Sequence, residues 1–217
     1  MAKKKVLVTV PNGEQWIHKE TALFLLKLQQ DKRYKLKIDL PTYRPLANNQ
    51  HHIIKEFILG NYDYWLSCDA DVAPIKNPLD LIKLDKDIIG LPAPLWRLKN
   101  PLDTYQDKSH PVYWGVYSYN ESRDEYKILS KEKGLQKVDA VSGACFIIAR
   151  RVFNNNRLRS KGWWRRLNKD GTVFMGNDLS FCWRARDEGW EVWVHWDYPV
   201  RHFREVELNK IMDIFMI

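Results

Sequence analysis

Tyr62-Asp63-Tyr64-Trp65-Leu66-Ser67-Cys68-Asp69-Ala70-Asp71 is an apolar stretch that ends in two carboxylates. Residues 62–68 read as a buried strand, the third of the chain, and the acids follow it directly. Working back, residues 6–10 are a β-branched strand closed by the turn Pro11-Asn12-Gly13. Residues 14–28 carry apolar side chains at helical spacing, residues 36–40 form a second strand closed by Pro41, and residues 49–59 a second helix. Working forward, residues 79–84 are a short helix and residues 87–91 a fourth strand. Strands alternating with helices predict crossover units and a parallel sheet. Sites in such sheets lie at the carboxyl ends of the strands, where Asp69 and Asp71 stand.

Beyond residue 91 the alternation breaks. Residues 92–137 are rich in Pro, Tyr and Trp and suit a small antiparallel element. A strand-like segment returns over residues 138–149, and residues 150–170 are basic and polar. Residues 177–188 read as a helix with Asn177 as N-cap and Gly189 as its stop. A strand follows over residues 191–195 and a C-terminal helix over residues 204–217. There is no internal repeat and no low-complexity linker, so residues 1–217 are expected to form a single domain.

Composition narrows the class. In 217 residues, 45% are hydrophobic and 29% charged, as in a globular chain. No apolar run reaches the roughly 20 residues that span a bilayer, and no targeting segment is visible, so a cytoplasmic protein, soluble or peripherally membrane-associated, is expected. Cys68, Cys145 and Cys182 lie among apolar neighbours without zinc-site spacing and read as buried free thiols. A net charge of +8 suits a phosphate-bearing ligand, anionic lipid or nucleic acid. No nucleic-acid-binding module pattern is present, and none of that class is expected as partner.

Two carboxylates two residues apart past a buried strand can face one cation. Mg²⁺ and Mn²⁺ prefer oxygen ligands, including phosphates, and a cation on a departing diphosphate stabilises the charge that develops there. Asp85-Lys86-Asp87 repeats the pattern but opens a strand, at the wrong end of the sheet, and reads as a chance copy.

Four pieces in order resemble the GT-A type of glycosyltransferase, in particular the family 2-like nucleotide-sugar transferases. They are Val10-Pro11-Asn12-Gly13, residues 64–71, Val141-Ser142-Gly143-Ala144-Cys145-Phe146, and Gly176-Asn177-Asp178-Leu179-Ser180 with Val200-Arg201-His202 after the next strand. The resemblance implies an α/β fold with a Rossmann-like, mixed but mostly parallel sheet flanked by helices. Residues 1–91 would be the nucleotide-binding half and residues 92–217 the acceptor-side half. It also implies a nucleotide-diphosphate sugar donor, Mn²⁺ or Mg²⁺, and a glycan, lipid or protein acceptor. Pro11, Asn12, Asp39, Asn48 and Asn49 would bind the nucleotide. Asp69 would contact ribose or metal, and Asp71 and His202 would hold the metal. Gly143 would let backbone approach the donor sugar, and Asp178 stands where the family has its catalytic base. The family's acidic pair before that helix is here Asn177-Asp178, with one carboxylate left.

Inverting transfer needs a carboxylate to take the proton from the acceptor hydroxyl, which suits Asp178. The same acid also favours the helix dipole, and similar residues occur in retaining members. The basic residues from Arg150 to Lys169, with Trp163-Trp164 between them, read equally as a lid over the diphosphate or as a solvated loop, with a surface for anionic lipid or an acidic acceptor as a further alternative. His18 and His110 carry no motif. A sugar-phosphate nucleotidyltransferase shares much of the topology but would carry a Gly-rich, Arg-containing loop after the first strand. Here that loop has one glycine and no arginine. A non-catalytic sugar-binding relative has the same outline.

Overall fold

The computed structural model describes residues 3–13, 16–96 and 112–204. Its centre is a seven-stranded sheet built from β1 (Lys5–Thr9), β2 (Lys35–Asp39), β3 (Tyr64–Cys68), β4 (Ile88–Gly90), β5 (Leu135–Val138), β6 (Cys145–Ala149) and β7 (Val192–His195). The strand order is β5-β7-β4-β6-β3-β1-β2. β1, β2 and β3 run parallel, as do β4 and β7. β6 is antiparallel to both neighbours and β5 to β7. The expected mixed, mostly parallel sheet is therefore observed.

Helices cover both faces. α1 (Lys19–Leu28) packs Leu25 and Leu28 on the side of the sheet shown by Val6, Val8, Leu66 and Ile147. The other side, shown by Leu7, Trp65, Phe146 and Ile148, receives α2 (Leu46–Leu59), α3 (Asn156–Lys161) and α4 (Asn177–Asp187). β3 is buried at all five positions and bonded on both edges. At its centre the Trp65 indole Nε1 donates to the Thr9 hydroxyl at 2.7 Å, so the one polar atom of a fully buried ring is satisfied.

Several expected boundaries move. The first helix begins at Lys19 rather than residue 14, and the second at Leu46 rather than Asn49. The short helix is a 3₁₀ turn, Pro78–Leu84, capped by the Asn77 side chain. Residues 138–149 are not one strand. β5 ends at Val138, Ala140–Val141 leaves to pair with Val116–Tyr117, and β6 starts at Cys145. One extended segment cannot serve two sheets, so the backbone turns at Ser142-Gly143-Ala144. Asn177 is the first residue of α4 rather than its cap; Gly176 holds the cap position, with no side-chain bond. Gly189, at φ 85°, ends that helix as expected: Trp190 N–H bonds the Ala185 carbonyl and Gly189 N–H the Arg186 carbonyl. The antiparallel element expected in residues 92–137 includes the hairpin of Val116–Asn120 with Glu125–Ile128. The predicted C-terminal helix lies, beyond Arg204, outside the described residues.

Thr9→Val keeps the shape of the site but leaves the Trp65 N–H without its partner. It is expected to cost about 1–3 kcal/mol, read as a lower urea midpoint with an unchanged slope.

Candidate active site

The chain cannot run on past Cys68 as strand, because Asp69 N–H turns to the Ala144 carbonyl (2.8 Å) and Val72 N–H closes onto the Asp69 carbonyl (3.1 Å). The loop so formed is held from two more sides. His18 N–H donates to the Ala70 carbonyl and Phe203 N–H to the Asp71 carbonyl, each at 2.8 Å. After the loop, Val72–Pro74 pairs antiparallel with Val200–His202, with Val72 opposite His202. That register brings a residue 131 positions away in sequence beside Asp71.

His202 Nδ1 lies 2.9 Å from the Pro94 carbonyl. A carbonyl only accepts, so Nδ1 carries a hydrogen. Nε2 stands 3.3 Å from Asp71 Oδ2, an ion pair when the ring is protonated. Arg204 Nη1 approaches the same oxygen at 3.4 Å. Burial would raise the Asp71 carboxyl, but His202 and Arg204 outweigh it and hold it below the ordinary value. Burial opposes charge on His202 in turn, and Asp71 and the Pro94 carbonyl hold its pKa up. Asp69 is pushed up to about 7, first by burial and then by Asp71 and Asp178, with His202 and Arg204 acting against them.

Asp178, the second residue of α4, comes from the other half of the sheet. Its Oδ2 accepts from Gly143 N–H (2.9 Å) and its Oδ1 from Leu179 N–H (2.9 Å). A Cβ on Gly143 would lie 3.3 Å from Asp178 Cβ, so a bulkier residue would crowd this contact. Asp69, Asp71, His202, Gly143 and Asp178 therefore gather at one end of β3 and β6.

Pro11, Asn12, Asp39, Asn48 and Asn49 form a second group at the ends of β1 and β2. Asn12 and Asn49 meet at the Pro41 carbonyl, which accepts from Asn12 N–H (2.8 Å) and Asn49 Nδ2 (3.0 Å). Asn12 Oδ1 accepts from Trp16 N–H, and Asp39 Oδ1 from Leu40 N–H. Burial and the neighbouring Glu56 raise the Asp39 carboxyl. Asn48 is exposed on the first turn of α2, whereas Asn49 is 1% exposed and ties α2 to the loop. Asn49 thus shapes this rim from inside and does not face a ligand.

Among the described residues, no three His, Cys, Asp or Glu side chains converge to hold an ion by themselves. The expected set of Asp69, Asp71 and His202 is accordingly not a closed cage. What fits a divalent ion is narrower. His202 turns Nε2 toward the Asp71 carboxylate, with Nδ1 fixed on a carbonyl, as metal-ligating histidines are held. Such a two-ligand site suits Mg²⁺ or Mn²⁺ when phosphate oxygens supply the rest.

The first part of the basic segment is tied into the fold. Arg150 donates to the Tyr62 and Ile58 carbonyls, Arg151 pairs with Asp85 and Asp87, and Arg157 with Asp187 and Glu188. Trp163 is core, stacked on Phe181 at 4.5 Å. The aromatic run after residue 92 also packs: Tyr117 is buried, and Tyr113, Trp114 and Tyr119 lie against the core. Tyr105 and His110 lie outside the described residues. The three thiols are buried and free, and burial pushes Cys182 up to about 12. Sequence reasoning passed over His18 and Arg204. His18 caps α1 through Nδ1 and stacks on Phe203 at 3.9 Å, clamping the acidic loop. In the sequence it lay inside the expected helix of residues 14–28, so no local signal marked it.

No protein-family model matches the chain, and no curated protein matches it in sequence. Its likeness to solved structures is one of fold. A197 from STIV superposes with a TM-score of 0.59 at 15% identity, over 93% of this chain and 86% of that one. GalNAc-T7, crystallised with UDP, GalNAc and Mn²⁺, superposes with a TM-score of 0.53 at 12% identity, over 94% of this chain. The fold is of the GT-A type. This GT-A chain spans 44% of the GalNAc-T7 chain, less than half of it. An apo UDP-glucose pyrophosphorylase aligns over 98% of this chain with a TM-score of 0.45, a likeness too slight to bear on the fold. No described helix is long and apolar enough to cross a membrane.

The Asp69 carboxyl titrates at about 7 in the folded chain against 3.8 without the fold. The folded form keeps a proton that the unfolded form releases, so this group lowers stability as pH rises through that window. In EDTA, Asp69→Asn is expected to gain melting temperature over the parent progressively from about pH 4 to about pH 7, then to hold the gain. A difference that stays flat across the window contradicts the burial and repulsion described.

Proposed function

We propose that the chain is a divalent-cation-dependent glycosyltransferase that moves a sugar from a nucleoside-diphosphate donor to an acceptor hydroxyl. The observation that carries this reading is His202 Nε2 set 3.3 Å from the Asp71 carboxylate at the tip of β3, with Asp69 and Asp178 in electrostatic reach. Three carboxylates so close repel one another unless positive charge lies among them. The GT-A fold and the UDP, GalNAc and Mn²⁺ of the GalNAc-T7 crystals support it.

Asp71 and His202 would hold Mn²⁺ or Mg²⁺, with Asp69 on the ion or the ribose. When bound, the ion supplies charge that stabilises a departing diphosphate. Pro11, Asn12, Asp39 and Asn48 would line the nucleoside end. Gly143 leaves room for the donor sugar, and Asp178 takes the proton of the attacking hydroxyl, after one of its oxygens exchanges a backbone N–H for the acceptor. That double engagement of Asp178 favours one other reading, a nucleotide-sugar-binding protein without turnover.

A thermal-shift screen of nucleoside diphosphates and their sugars, with and without Mn²⁺, tests the proposal. A binding ligand raises the midpoint. Asp71→Ala should abolish the Mn²⁺-dependent part of the rise, and an unchanged rise removes Asp71 from the site. Asp178→Asn should keep the rise while lowering donor turnover about 10²–10⁴-fold. Metal-dependent shifts without turnover in the unaltered chain would select the binding reading.

A further inference from the structure

We propose that the basic hairpin beside α4 is a docking surface for an anionic lipid bilayer. The hairpin pairs Arg166–Leu167 with Val173–Met175, and Leu167 lies directly opposite Val173. Directly opposite side chains point the same way, and these two are 59% and 51% exposed. Trp164, just before the hairpin, is 56% exposed. Large apolar side chains displayed together on one short segment mark an interaction surface. Trp flanked by aliphatic groups suits the headgroup region of a membrane.

The surrounding charge selects the partner. Arg150, Arg151, Arg157 and Arg166 are consumed by carbonyls, carboxylates and the Trp183 ring. Lys161, Arg165 and Lys169 are exposed, and among the described residues none of them pairs with a carboxylate. Arg165 reaches only Asn177 Oδ1. The single acid of the turn, Asp170, is bound by the Thr172 N–H and hydroxyl. Long cations left unpaired near an apolar pair that flanks the polar turn of residues 168–172 match a surface that is fluid and evenly negative. They need no fixed set of acceptors there.

The base of the hairpin is rigid, so docking would orient the whole molecule. Ser180 Oγ accepts from Arg166 N–H, and Arg184 Nη1 donates to the Gly162 and Trp164 carbonyls. Asn177 Nδ2 donates to the Trp163 carbonyl. All three anchors belong to α4, the helix that carries Asp178.

Co-sedimentation of the full chain with vesicles tests this, with no donor or metal present, so the result is independent of the transferase reading. Vesicles of equimolar phosphatidylcholine and phosphatidylglycerol are expected to carry the protein down, and pure phosphatidylcholine is not. Each cation removed should weaken binding about fivefold, so Lys161→Gln with Lys169→Gln should lower it roughly 25-fold. Trp164→Ser with Leu167→Ser, both exposed, should lower it as well. The same charge loss on α1 and α2, Lys27→Gln with Lys55→Gln, should leave it within about twofold. Failure to bind the anionic vesicles, as an acidic protein or nucleic-acid partner would give, overturns the proposal. Binding that survives both hairpin variants does the same.

Discussion

A strand bonded on both edges and covered on both faces can present polar groups only at its ends. β3 is such a strand, buried at each of its five residues and held by β1 and β6. Its indole nitrogen has to find the Thr9 hydroxyl inside, and the first carboxylates appear where the ladder stops. The acidic loop is then clamped by backbone donors from His18 and Phe203 and by its own return to Val72. Each of these is a main-chain bond, so the loop is placed by the fold and not by the charges it carries. The charges are free to be balanced by what approaches.

That balance is incomplete within the described residues. Asp71 has His202 and Arg204 beside it, while Asp69 keeps its proton up to about 7 because burial and two other acids act against ionisation. The second Asp-x-Asp shows the contrast. Asp85 and Asp87 meet Arg151 at 2.8 and 2.5 Å, and Asp87 also accepts from the Glu191 N–H. Those acids are spent on structure. The pair at β3 stands instead at the carboxyl edge of the sheet, with Asp71 beside His202 and Arg204.

The basic segment divides in the same manner. Arginine suits both carbonyl bridging and carboxylate pairing because its guanidinium donates in several directions at once. Four of the arginines therefore hold helix ends and the hairpin in place, and Trp163 fills the core between Phe146 and Phe181. The cations outside this frame, like Trp164, Leu167 and Val173, are exposed to solvent.

Local pattern was enough to show the alternating elements, the buried strand ending in Asp69 and Asp71, and the Gly189 stop of α4, because side-chain period and turn chemistry act over a few residues. The four motif pieces also pointed to the GT-A outline. Distance along the chain hid the rest. That His202 meets Asp71 depends on the register of two three-residue strands, and that Asp178 meets Gly143 depends on a turn between two sheets. Asn49 looked like a ligand-facing amide and is a buried tie, since a helix residue's face is settled only by what packs against it. Likewise, only tertiary contacts could tell a structural arginine from a free one, because both carry the same charge in the same stretch of sequence.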